Sequence, residues 1–147
     1  MPMNAETSRA ELILPNEPRM FGAVAAIVSH AAERVGFSEK AQKGLAEAAI
    51  EACEQALALA AEDGNAQPRI HVIVENFDDR VEITLEHHGV LDPTAGLDSF
   101  VAGGKPGGGK LSAALQGTGV DRVQYEAGDG LSRTRLIKYA EGKAPRN

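Results

Sequence analysis

The chain has 147 residues, 43% hydrophobic and 24% charged, with a formal net charge of −6 and a pI near 5.2. That composition suits one globular domain with its own core. It contains no run of 18 apolar residues to span a membrane, and an acidic chain with 4% aromatics and no Trp argues against a nucleic-acid surface. The polar N-terminus has no apolar signal region, and the single cysteine, Cys53, excludes an internal disulfide. A cytoplasmic protein in a reducing compartment is therefore expected.

After a disordered tail over residues 1–8, Arg9 to Leu14 predicts a short strand ended by Pro15. Asn16 is expected to cap a helix, with Glu17 and Pro18 in its first turn. Phe21, Val24, Ile27, Val28, Ala31 and Val35 keep helical spacing, and Gly36 closes the helix. Ser38 caps a second helix that runs to about Glu62. It is rich in alanine, which favours helix and lets a neighbouring element approach closely. Asp63-Gly64-Asn65 breaks it. Ile70 to Val74 and Val81 to Leu85 are β-rich runs on either side of Asp78-Asp79, so they predict an antiparallel hairpin. His88 to Gly109 shows no clear period. A short helix from Lys110 to Leu115 follows, then two strands near 122–127 and 132–139 joined through Gly128-Asp129-Gly130. Residues 141–147 read as a C-terminal tail. One domain over 9–140 results, an α+β two-layer sandwich with a mainly antiparallel mixed sheet packed against helices.

Several segments carry candidate chemistry. Five of the chain's 16 glycines fall within residues 103–109, Gly-Gly-Lys-Pro-Gly-Gly-Gly, just before the short helix. Glycine lets a backbone approach a ligand closely, and a helix start offers unpaired N–H groups, so the run is a possible phosphate cradle with Lys105 and Lys110 nearby. Gly104 to Lys110 fits seven positions of a Walker A loop. The eighth is Leu111, which has no hydroxyl for magnesium, and the run follows a hairpin rather than a parallel strand. A Walker A loop is therefore rejected. A mobile surface loop is the ordinary alternative for such a run.

On the second helix, Glu47, Glu51 and Gln55 recur every four residues and share one face. Such a stripe is most often a solvated helix edge; the alternative is a pocket wall that supplies a carboxylate base and an amide. His87 and His88 are adjacent on a strand and point to opposite faces, so they do not share a metal. His71 could pair with one of them, but two histidines without a placed carboxylate make a poor zinc set. Cys53 sits among alanines as a small buried hydrophobe, and Ser112 and Ser132 show no adjacent base to activate them.

The layout and these residues together resemble a family. From about Leu12 to Tyr139 the chain is similar to the anti-sigma factor serine kinases, the small single-domain branch of the GHKL ATPases with their Bergerat-type fold. Glu51-Ala52-Cys53-Glu54-Gln55-Ala56 stands where the family reads Glu-Ala-Cys-x-Asn-Ala. The resemblance implies a catalytic role for Glu51, which would activate the attacking group, and a magnesium-holding role at Gln55 in place of the asparagine. Leu59 replaces a frequent histidine. At the strand end, His87-His88-Gly89 occupies the Asp-x-Gly box whose aspartate binds the adenine amino group; Gly89 matches and His87 departs. Leu91-Asp92-Pro93 continues the likeness. Gly107, Gly108, Gly109 and Lys110, followed by Leu111, stand at the glycine box that closes on the phosphates, and Asp121-Arg122-Val123-x-Tyr125 resembles the closing strand.

The resemblance implies ATP and magnesium as cofactors, and a sigma factor or a STAS-domain anti-sigma antagonist as partner, with a homodimer also possible. The two departures shape the functional expectation. A glutamine's longer stem misplaces a ligand in magnesium's strict octahedron, and an imidazole does not reproduce a carboxylate at the adenine position. The leading expectation is a regulator acting by protein binding, with a degenerate nucleotide site. An active ATP-dependent serine kinase and an unrelated α+β ligand-binding domain are the alternatives.

Overall fold

The computed structural model describes residues 7–62, 69–88, 120–128 and 131–140. The elements in chain order are β1 (Ser8–Pro15), a 3-10 turn (Pro18–Met20), α1 (Phe21–Val35), α2 (Glu39–Glu62), β2 (Arg69–Asn76), β3 (Arg80–His88), β4 (Arg122–Gly128) and β5 (Leu131–Tyr139). The glycine run, the short helix expected at Lys110 to Leu115 and the tail at 141–147 lie outside the described residues.

The entry into α1 differs from the expectation. Asn16 caps nothing. Glu17 N–H instead bonds the Pro15 carbonyl at 2.7 Å, and the chain makes a 3-10 turn, with Glu17 extended at its head and no side-chain cap, before α1 begins at Phe21. The other end is as expected. Gly36 takes φ 97°, a left-handed conformation suited to glycine, and its N–H reaches the carbonyls of Ala32 and Glu33. Phe37 N–H also bonds the Ala32 carbonyl, at 3.0 Å. The chain then reverses. Ser38 Oγ accepts the Ala41 N–H at 3.1 Å, which caps α2, and Gln42 Nε2 donates to the Phe37 carbonyl at 2.9 Å.

The sheet order is β1-β2-β3-β5-β4. All four pairings are antiparallel, so the described sheet is not mixed as expected. The reason is directional. The two helices between β1 and β2 carry the chain back and out again, so β2 returns against β1, and short connections fold β2 onto β3 and β4 onto β5.

Register assigns each side chain to a face. One row runs Leu14, Ile70, His87, Ser132, Ala127, and the next runs Leu12, Val72, Leu85, Thr134, Tyr125. A third runs Ala10, Val74, Ile83, Leu136, Val123. The β2 and β3 members of these rows pack against α1 and α2, and Leu14 on β1 and Leu136 on β5 join the same core. Ile70, Val72, Val74, Val81, Ile83, Leu85 and Leu136 join Val24, Val28, Leu45, Ala49, Ala52, Cys53 and Leu57 in one buried core. Alanines on α2 allow the helices close to the sheet. The core residues repeat at helical spacing on α1 and α2 and at every second residue on the strands, which is how two amphipathic layers close on each other.

The opposite face carries charge. Its central row is Ile13, His71, Glu86, Arg133, Glu126, one residue from each of the five strands. Glu86 accepts from Arg133 Nε at 2.9 Å, and Arg133 reaches Glu126 at 3.3 Å.

Candidate functional site

Glu51 and Gln55 lie one turn apart on the flank of α2, next to the buried Ala52 and Ala56. Both are half-buried, whereas Glu47 is exposed. The stripe is therefore neither solvated throughout nor a wall of the core. Its inner two members form the seam between buried and exposed helix. Gln55 Nε2 points at Glu51 Oε2 from 3.4 Å, a long hydrogen bond. The amide donor and the carboxylate acceptor thus face one another.

His87 sits near the end of β3 on the helix-covered face and is 2% exposed. Its cross-strand neighbours are Ile70 on β2 and Ser132 on β5. Directly opposed residues on one face of an antiparallel pair bring their Cβ atoms to roughly 5 Å. Ser132 is fully buried, and its Oγ lies 3.2 Å from the Tyr125 hydroxyl on β4. Thr134, also buried, lies on the same strand and face as Ser132 and directly opposes Tyr125. Burial raises the Tyr125 hydroxyl above its ordinary value, with an opposing effect from the Ser132 bond, so it remains a neutral phenol. A small polar cluster of His87, Ser132, Thr134 and Tyr125 thus lies on the core-side face of the sheet, across three strands.

The sequence contained no sign of a base beside Ser132, because 45 residues separate it from His87 and only strand register joins them. The geometry corrects that view: Ser132 does have an imidazole-bearing residue opposite. Its complete burial keeps a substrate from the hydroxyl, so the pair is not an accessible nucleophile and base.

Cys53 is closed within the core, and burial, aided by Glu54, pushes its thiol up to about 12. It packs as a small hydrophobe. His71 does not join His87, since the two point to opposite faces. His71 is instead held on the charged face, with Nε2 2.9 Å from Glu11 and Nδ1 3.4 Å from Glu86. Among the described residues, no group of three His, Cys, Asp or Glu side chains is arranged to hold a metal ion.

Of the residues singled out from sequence, Glu51, Gln55 and His87 are therefore placed on the helical layer and on the sheet face that this layer covers. Gly89, Gly107, Gly108, Gly109 and Lys110 lie outside the described residues. No known family model and no curated protein matches the chain. Among the described residues, no helix is long and apolar enough to cross a membrane.

Proposed function

We propose that the chain is a regulatory protein that acts by binding another protein, as a divergent relative of the anti-sigma factor serine kinases with a degenerate nucleotide site. Its partner would be a sigma factor or a STAS-domain antagonist. The order of strand, two helices, hairpin and closing hairpin supports the likeness, as do helices gathered on one face and β1 within the sheet.

The observation that carries the functional half is His87. The family's adenine-reading aspartate has its counterpart here in an imidazole that is 2% exposed and seated in a row with Ile70 and Ser132. A neutral imidazole presents a single acceptor nitrogen where a carboxylate has two oxygens. Gln55 adds to this. Its amide nitrogen donates to Glu51, and its extra methylene sets the amide oxygen off the position that an asparagine would give magnesium. Glu51, Gln55 and His87 therefore do not fit a magnesium–triphosphate complex.

The test is direct binding of candidate sigma factors and STAS proteins to the purified chain, by calorimetry without nucleotide. A stable complex formed without ATP is expected. Partner binding that appears only when magnesium and ATP are added would overturn the proposal.

One observation favours an active serine kinase instead. Glu51 is retained and half-buried, where it could serve as the base. Transfer of labelled phosphate from ATP to a STAS protein, lost in Glu51→Gln, would establish that reading.

A further inference from the structure

β4 ends the sheet on the side away from β1, and it pairs with β5 and with no other described strand. Hydrogen-bonded positions alternate along an antiparallel pair, so every second residue of β4 turns its N–H and C=O away from β5 and toward the edge. We propose that this edge captures an extended segment of another protein as an added strand, and that the segment alternates acidic with apolar side chains. The inference names the chemistry of a partner segment. It depends neither on the nucleotide site nor on which protein family supplies the partner.

The acidic half of that pattern follows from two arginines. On the open face, Arg9 donates to Glu11 at 2.7 Å, Arg80 to Glu82 at 2.6 Å and Arg133 to Glu86 at 2.9 Å. Arg135 and Arg122 depart from this pairing. Arg135 Nε is buried without a hydrogen bond, 3.9 Å from a Glu82 that Arg80 already engages. A guanidinium carries only donors, and a buried donor without an acceptor is destabilising. The Arg135 side chain is still 39% exposed, so an acceptor arriving from outside can reach it. Arg122 is exposed and makes no ion pair with a described residue. It opposes Ile137, two residues from Arg135 on β5, so the two arginines are diagonal neighbours about 7–8 Å apart on one face. Exposed Gln124 stands directly across from Arg135 and adds an amide donor. Glu126, farther along β4, is engaged by Arg133 at 3.3 Å. The unpaired charge at this corner is therefore positive, although the chain as a whole is acidic. Carboxylates suit it, because the planar guanidinium fork accepts both oxygens of one group.

The apolar half follows from the other face of the same strand. Val123 and Tyr125 alternate with Arg122 and Gln124, lie on the core side of the sheet and are only half-buried. Their partners one strand inward, Leu136 and Thr134, are buried. Cover thus fades at β4, where a further strand would restore it. Side chains of an added strand alternate in the same way, so acids on one face and apolar residues on the other meet both needs in one register. The start of β4 is already fixed. Asp121 N–H bonds the Ile137 carbonyl at 2.9 Å, and the Asp121 carboxylate accepts the Tyr139 N–H at 2.8 Å. A pre-ordered edge loses little entropy when a partner pairs with it.

Fluorescence anisotropy of the full chain with a labelled synthetic peptide of alternating Glu and Val tests the proposal. Saturable binding at micromolar concentration is expected, with slower amide exchange along β4. Arg122→Gln and Arg135→Gln should each weaken binding about tenfold. Arg69→Gln should leave it unchanged. Arg69 is also exposed, on the same face and without a described ion-pair partner, but it lies on β2, with β3 and β5 between it and β4. A peptide of alternating Lys and Val should not bind. A Glu-Val peptide with a central proline keeps its charge but loses backbone pairing, and should also fail. The three peptides are compared on the unaltered chain, so their result stands even where a variant fails to fold. Absence of binding, equal binding of the Lys-Val or proline-bearing peptide, or an equal loss in Arg69→Gln would overturn the proposal. So would protection of β4 amides that rises with the concentration of the chain alone, which would assign the edge to a second copy.

Discussion

On the helix side of the sheet, Val72, Ile83, Leu85 and Leu136 are closed from solvent, while on the other side the same strands carry Glu82, Glu86, Arg133 and Arg135. The two faces share one backbone and one register, yet they depend on different forces. The first gains from removal of apolar area from water, roughly 1.5–3 kcal/mol for each fully buried large side chain. The second holds its charges at a partly exposed surface, where a pair contributes about 1 kcal/mol or less. Arg135 shows how little the second face demands of geometry. Its Nε is buried without a hydrogen bond, and the nearest paired carboxylate, Glu82, stands 3.9 Å away and is bonded to Arg80 at 2.6 Å. The fold is thus set mainly by the covered face, while the open face buries Ile73 and Ile137 among charges held at solvent.

That contrast predicts very unequal mutational effects. Leu85→Ala removes a fully buried side chain beneath the helices and should cost about 2–5 kcal/mol in urea unfolding. A loss below 1 kcal/mol would mean that the helices do not seal this face. Arg133→Ala breaks the contacts to Glu86 and Glu126 on the opposite side, and its side chain is 39% exposed. It should cost about 1 kcal/mol or less, and the loss should shrink with added salt. A salt-independent loss comparable to that of Leu85→Ala would erase the distinction between the faces.

The smallest effect is expected at Glu11. Its carboxyl is held below the ordinary value of 4.5, first by the hydrogen bond from His71 and then by that from Arg9. A depressed folded value means that the charged form is the one favoured by folding. The contribution is present above the unfolded carboxylate value and is lost as pH falls through the lower folded value. Amide exchange in β1 should therefore rise slightly in that acid window, and Glu11→Gln should flatten the change. Because Glu11 is an exposed residue, global stability should scarcely move.

Much of the fold is legible in the sequence where one residue type has one physical use. Gly36 marks a left-handed helix end, Ser38 a cap, and the Asp78-Asp79 pair a hairpin turn between two β-rich runs. Asn16 was misleading because capping depends on where the first helical turn begins. The Pro15 to Met20 turn delays α1 to Phe21. The site was harder to read. Glu51 and Gln55 announce their shared face through spacing, but their contact with each other depends on side-chain rotamers. The His87 and Ser132 pair depends on the β3–β5 register, a relation between strands far apart in the chain. Spacing along one element encodes a face, whereas pairing between elements encodes a cluster.

The central proposal is that Gln55 and His87 leave the chain, despite its likeness to nucleotide-binding kinases, unable to hold magnesium and ATP. Isothermal calorimetry of the purified chain with ATP and magnesium tests it most directly, with Gln55→Asn/His87→Asp as the companion. The account predicts no binding at micromolar concentration for the natural chain. Micromolar affinity in the natural chain would contradict it.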